Sequence, residues 1–206
     1  MKKSVLIALV AAAVAFGGYA YTEFNGTPTQ SNAEFIRSYS PRIGEVNAPV
    51  TIVEFFDPSC EACRAIYPYV KAILAENPKD VRLVMRYALF HKGSEKAARI
   101  LEAARLQDKY PAVLEAVLNS QPEWHDDENA QAAWDAAVKA GLDPELAKQQ
   151  MYSESVTAAL ESDAKDIEKL KILKTPEFFV NGKKLEEFHP DQLHLLVQEQ
   201  LAKAKK

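Results

Sequence analysis

Two cysteines, Cys60 and Cys63, are the only ones in the 206 residues, and they stand three positions apart. A Cys-x-x-Cys pair can exchange its disulfide with another dithiol, because a thiolate is both the attacking and the leaving species. The run 50–56 is β-branched and aromatic, and Asp57-Pro58 breaks it just ahead of the pair. Helical periodicity begins immediately after, which puts Cys60 at a strand-to-helix turn. There the unpaired N–H groups of the helix start favour thiolate over the free-thiol pKa of about 8.5. Cys63, one turn along, can close the bridge or resolve a mixed one. A structural bridge enclosing only four residues would be worth about 2 kcal/mol, against about 4.7 for a loop of about 100. Structural zinc needs four ligands, and the four histidines offer no i, i+4 pair. Copper(I) on two thiolates remains chemically open.

Other reactive groups are fewer. Glu54 falls six residues before Cys60 inside the apolar run. If buried, its carboxyl has a raised pKa and can pass protons to and from the resolving thiol; a solvated edge position is the alternative. Glu61, an acid beside Cys60, should disfavour the thiolate and make the centre less oxidising. His91 follows the second strand and either approaches the cysteine face or caps a surface helix. Trp124 and Trp134 suit core packing, and Lys203, Lys205 and Lys206 a solvated tail.

The elements that must hold these groups are legible in outline. From 60 to about 77, Ala62, Ile66, Tyr69, Val70, Ile73 and Leu74 recur at helical spacing, with Pro68 as a kink and Asn77-Pro78 as a stop. The stretch 81–87 suits a second strand and completes a β-α-β unit. Between 94 and about 171 the strand-like runs vanish. Ser94 should cap a helix carrying Ala97, Ile100, Leu101 and Ala104 inward. Helices are expected near 112–118, around Trp134 and Val138 up to Gly141, after Asp143-Pro144, and over about 155–171 with Val156, Leu160, Ile167 and Leu170 on one face. The chain then returns to strand chemistry at 177–180. Asn181-Gly182 predicts a type I′ hairpin into 183–185, and a helix after Pro190 should bury Leu193, Leu196, Val197 and Leu201.

Composition is that of a globular protein, 48% hydrophobic and 26% charged, with no repeat. The formal charge of −4 becomes −6 without Lys2 and Lys3, and no basic stripe exists, which excludes nucleic acid as a partner class. Residues 1–20 read as an export segment: Lys2 and Lys3, an apolar run from Val5 to Phe16, then Gly17, Gly18 and Ala20. The short apolar centre favours cleavage after Ala20, while the uncharged stretch 4–22 also admits a retained membrane anchor. Residues 21–40 then form a linker or loosely held arm.

In this setting the sequence resembles the thioredoxin superfamily, especially its periplasmic DsbA-like branch. The resemblance rests on Val53-Glu54-Phe55-Phe56-Asp57-Pro58-Ser59-Cys60-Glu61-Ala62-Cys63, on Pro68, and on Thr175-Pro176 followed by Glu177-Phe178-Phe179-Val180-Asn181-Gly182, and it covers about residue 40 to the C-terminus. It implies an α/β thioredoxin fold interrupted by a helical insertion: thioredoxin-like parts at 41–92 and 166–206, with the insertion at 93–165. It further implies that Cys60 is the exposed nucleophile, Cys63 the buried resolver and Glu54 a buried acid serving as proton relay. Pro176 would be cis, and the Thr175 backbone would bind an extended substrate segment as an added strand.

The expected activity is oxidation of exported proteins at the outer face of a bacterial inner membrane. Unfolded or extended proteins would be the substrates, and a membrane quinone-linked, DsbB-like partner would take the electrons. No cofactor is required, since the cysteines carry two electrons. Glu61 and Thr175 keep open a reductase or isomerase fed by a membrane electron donor.

Overall fold

The run Val50–Phe56 forms β2 and is buried along its whole length, as its composition requires of a strand covered on both faces. A computed structural model describes residues 32–205, so the expected export segment at 1–20 lies outside the described residues. Among those described, no helix is long and apolar enough to cross a membrane.

Strand β2 lies at the centre of a five-stranded sheet of order β1-β3-β2-β4-β5. It pairs in parallel with β3 (Val81–Tyr87), from Val50 opposite Val81 to Phe56 opposite Tyr87. The connection is α2 (Glu61–Glu76), so the first half is the expected β-α-β unit. On the other side β2 pairs antiparallel with β4 (Glu177–Val180), which turns into β5 (Lys183–Lys184). Asn181 and Gly182 both have positive φ, 48° and 81°, as the type I′ turn demands. The outer edge is β1 (Arg42–Ile43), antiparallel to β3.

Strand alternation assigns the two faces. Val50, Ile52 and Phe56 belong to the larger core, shared with Cys63, Ile66 and Val70 of α2 and with Leu193, Leu196, Val197 and Leu201 of α8 (Pro190–Ala204). Val53 and Phe55 point the other way, into a smaller core with Phe35, Val84, Ala88, Ile172 and Phe179. Glu54, of the same parity as Ile52 and Phe56, therefore faces the cysteine helix.

Helix α2 departs from the expected face at one position. Tyr69 is 54% exposed, and Tyr67 is buried instead. Positions 63, 66, 67, 70 and 73 follow the 3.6-residue period, from which 69 lies off the stripe.

Between β3 and β4 run α3 (Ser94–Leu106), α4 (Tyr110–Ser120), a 3-10 turn (Gln121–Glu123), α5 (Gln131–Lys139), α6 (Pro144–Gln150) and α7 (Glu154–Leu170). Asp143 caps α6 by accepting from the backbone N–H of Glu145 and Leu146, and Gly141 follows α5 at φ 98°. Helix α7 runs continuously across position 165. Trp124 is buried, with Nε1 donating to the Val117 carbonyl at 3.1 Å. Ser94 does not cap α3 as expected. Gly93 holds the N-cap position at φ 71°, and the Ser94 hydroxyl donates to the buried carboxylate of Asp57, a charge-assisted bond, instead of accepting from the N–H groups of the first turn.

The described part of the N-terminal arm is pinned rather than loose. It starts with α1 (Asn32–Phe35), and the Phe35 ring packs against that of Phe179, centroids 4.5 Å apart and tilted by 42°. Beneath it the fully buried Arg86 binds Asp163 at 2.8 Å and Asp166 at 2.6 Å on α7, and donates to the carbonyls of Glu34 and Phe35. Arg37 and Tyr39 add bonds to Asp166 and Asp163. Burying Arg86 demands this many partners, and the arm supplies two of them.

Candidate active site

At the C-terminal end of β2 the chain leaves the sheet through Asp57-Pro58-Ser59-Cys60. The side chain of Asp57, fully buried, accepts from the Ser59 N–H at 2.9 Å, and its carbonyl accepts from the Cys60 N–H at 3.0 Å. This closes a tight turn and leaves Cys60 at the N-cap of α2, in extended backbone geometry. Both cysteines are free thiols. Cys60 retains 7% exposure and Cys63 none, so only the first sulfur meets an outside partner.

The two sulfurs are driven in opposite directions. The Cys63 thiol, as hydrogen-bond donor, lowers Cys60 most; burial opposes it, and the Thr175 side chain with the backbone N–H groups of Cys63 and Ala62 adds to the lowering. The result is a Cys60 pKa lowered to about 5. Burial pushes Cys63 well above the ordinary thiol range, helped by the hydrogen bond it gives to Cys60 and by the charges of Glu54 and Cys60. Glu61, exposed on the first turn of α2, does not prevent the thiolate.

Thr175 approaches from the other end of the chain. The peptide bond Thr175–Pro176 is cis, and the Thr175 carbonyl accepts from the Cys60 thiol at 3.4 Å. Its buried hydroxyl has no hydrogen-bond partner among the described residues, and its proximity favours the charged sulfur.

Glu54 is buried, and neither carboxylate oxygen has a partner among the described residues. Burial first, and the negative charge of Cys60 second, hold its carboxyl well above the usual range and favour the neutral acid. The solvated alternative does not apply. It lies on the sheet face that packs against Cys63, and the two groups oppose each other's ionisation.

Three further residues build the site without having been singled out for it. Asp57 accepts on its other oxygen from the N–H groups of Phe90 and His91 and meets His91 Nδ1 at 2.8 Å. Gln121, from the insertion, donates to the carbonyls of Pro58 and Cys60 at 2.7 and 3.1 Å and accepts from Arg64. Gly93 lies so close to the Asp127 carbonyl that a Cβ there would come within 2.6 Å. Asp-Pro after an apolar strand was a signal for Asp57. A single glutamine and a loop glycine carry none. His91 is tied through Asp57 to the turn that carries Cys60. Among the described residues, no group of three or more side chains is arranged to hold a metal ion.

This geometry has counterparts. Residues 37–199 match the family model described as thioredoxin. A probable disulfide bond formation protein D from Bacillus cereus is 27% identical over 200 residues, 88% of this chain and 91% of that protein. A similar stretch, 27% identical over 187 residues, covers 85% of this chain but only 29% of a Na(+)/H(+) antiporter NhaA 1 from Mycolicibacterium gilvum. Among solved structures, a thioredoxin-like oxidoreductase from Silicibacter pomeroyi superposes with a TM-score of 0.72 at 30% identity, over 85% of this chain and 97% of that one. Oxidised BdbD from Bacillus subtilis does so with 0.71 at 25% identity, over 80% and 94%.

Proposed function

This chain belongs to the thioredoxin family, as a thiol-disulfide oxidoreductase of the DsbA-like type, and from that premise we propose that it introduces disulfides into exported proteins through Cys60 and Cys63. The observation that carries the direction is the lowering of Cys60 to about 5. A stabilised thiolate leaves well and favours the reduced enzyme, which supports the oxidising direction.

In the first step a substrate thiolate attacks Cys60 of the Cys60–Cys63 bridge. The bond between the cysteines breaks, and its electron pair leaves on Cys63. Glu54 supplies the proton that the buried Cys63 sulfur needs to become a thiol. The substrate's second thiolate then attacks its own sulfur in the mixed disulfide, and Cys60 departs as thiolate. Two electrons have passed to the enzyme, which a membrane quinone-linked partner would remove. Thr175 and the cis Pro176 hold an extended substrate segment beside Cys60 as an added strand. Export rests on Lys2, Lys3 and the apolar run that follows them.

The deciding measurement is the reduction potential against a glutathione buffer. A value near those of oxidising centres, about −120 to −180 mV, supports the proposal. A value near about −270 mV assigns the protein to reduction instead, the direction that Glu61 and Thr175 had kept open.

A further inference from the structure

The loop between β3 and α3 is bolted to the active-site turn. Ser59 Oγ donates to the Lys92 carbonyl at 2.6 Å, and Asp57 gathers the N–H groups of Phe90 and His91 and the Ser94 hydroxyl. Gly93, at φ 71°, lets the same loop press against the insertion at Asp127. The bolts leave His91 in a fixed place: Nδ1 sits 2.8 Å from Asp57 Oδ2, and about half the side chain stays open to solvent. Asp57 is three residues from Cys60 and shares its turn.

We propose that His91, held by Asp57, is a positioning residue for the exchange reaction, whose imidazolium charge stabilises the Cys60 thiolate when that sulfur leaves. The proposal rests on the exchange function argued above. In the step it acts on, the substrate's second thiolate forms the product disulfide, the substrate–Cys60 bond breaks, and its electron pair departs with Cys60. A cation nearby lowers the energy of that anion, whereas the bare Asp57 carboxylate would raise it. His91 therefore acts twice, by adding positive charge and by offsetting Asp57.

The charges on the surrounding elements are Asp57 and Cys60 on the turn, Glu61 on α2, Lys92 on the loop itself, Glu95 on α3 and Asp127 on the insertion. Glu95 is paired with Arg99, and Asp127 is engaged by the N–H groups of Asn129 and Gln131. Asp57 and Cys60 are the two that act on His91. Burial pulls its pKa down, but the hydrogen bond and charge of Asp57, with the charge of Cys60, leave it raised above the ordinary histidine value. What raises His91 by way of Cys60 must lower Cys60 by way of His91.

The test uses the full chain with His91→Asn, which keeps a donor at the Nδ1 position but cannot carry charge, and with His91→Lys, which restores a fixed charge. Thiolate absorbance against pH reads Cys60 directly. His91→Asn should raise its midpoint by about half a unit to one unit, and His91→Lys should recover most of that shift. The reduction potential adds a signature that a scaffold role would not produce. Wild type should exceed His91→Asn in oxidising strength at about pH 6, and the gap should close by about pH 9, where the imidazole is neutral. An unchanged midpoint in His91→Asn, or a gap independent of pH, overturns the proposal while exchange activity survives. A wild-type midpoint in the ordinary thiol range overturns the oxidising function itself, and this inference with it.

Discussion

The sulfur of Cys60 and the carbonyl oxygen of Thr175 lie 3.4 Å apart although 115 residues separate them. The contact joins the two halves of the sheet at the site of reaction. It means that the helix start alone does not set the reactivity of Cys60, because the cis-proline loop must dock before the sulfur has its full environment. The Cys63 thiol, which gives the largest lowering, completes that environment from one turn below.

Removing that thiol should therefore have two effects. Cys63→Ala should accumulate mixed disulfides between Cys60 and substrate proteins, visible on non-reducing gels, because no resolver remains. Its Cys60 midpoint should rise above about 5 by roughly one unit or more, since the largest source of lowering is gone. Cys60→Ser should trap nothing. Equal trapping by the two variants would reverse the assignment of nucleophile and resolver.

The reduced protein should lose stability in acid faster than the oxidised one. Cys60 is depressed to about 5 in the fold, against an unfolded thiol near 8.5. A group depressed by folding contributes stability that is complete above the unfolded value and is lost as pH falls through the folded one. Glu54 and His91 titrate in both redox forms, so the difference in Tm between reduced and oxidised protein reads the sulfurs together with the shift that the Cys60 charge imposes on these two neighbours. That difference should favour the reduced form most at about pH 8 and shrink through about pH 5. A difference that stays flat across this range contradicts the thiolate.

Glu54 should be costly to the fold and useful to the reaction. Its two oxygens are buried without partners, so Glu54→Leu should stabilise the protein by about 1–3 kcal/mol in urea unfolding. The same change should slow the Cys63 steps by about a hundredfold, the low edge of what a positioned acid contributes, with the Cys60 midpoint still depressed. Stabilisation without slowing would leave Glu54 without a role in proton transfer.

On the far face, Asp163→Ala should destabilise the fold by about 3–5 kcal/mol, because it removes one of the two carboxylates that neutralise the fully buried Arg86 and leaves the Tyr87 N–H unpaired. Exchange chemistry at Cys60 in the surviving folded fraction should be unchanged, since the network lies across the sheet from the cysteines. A loss below about 1 kcal/mol would mean that Arg86 finds other partners.

What the sequence determined alone is what short-range physics controls. The cysteine spacing, the helix that starts at them, the Asp143 cap and the Asn181-Gly182 turn all follow from groups a few residues apart, and their positions were legible for that reason. The resemblance extended this to the paired halves and to the meeting of Cys60, Thr175 and Pro176. Only the tertiary structure decided that Glu54 has no partner, that Gln121 braces the active-site turn, that His91 is tied to Asp57, and that Arg86 meets Asp163 and Asp166. Each of these contacts spans between 34 and 80 residues, or, for Glu54, is an absence that depends on everything packed around it. Periodicity marks which side of a strand or helix is covered. It carries no information on which polar group waits on the other side, because that is chosen by how the layers are stacked.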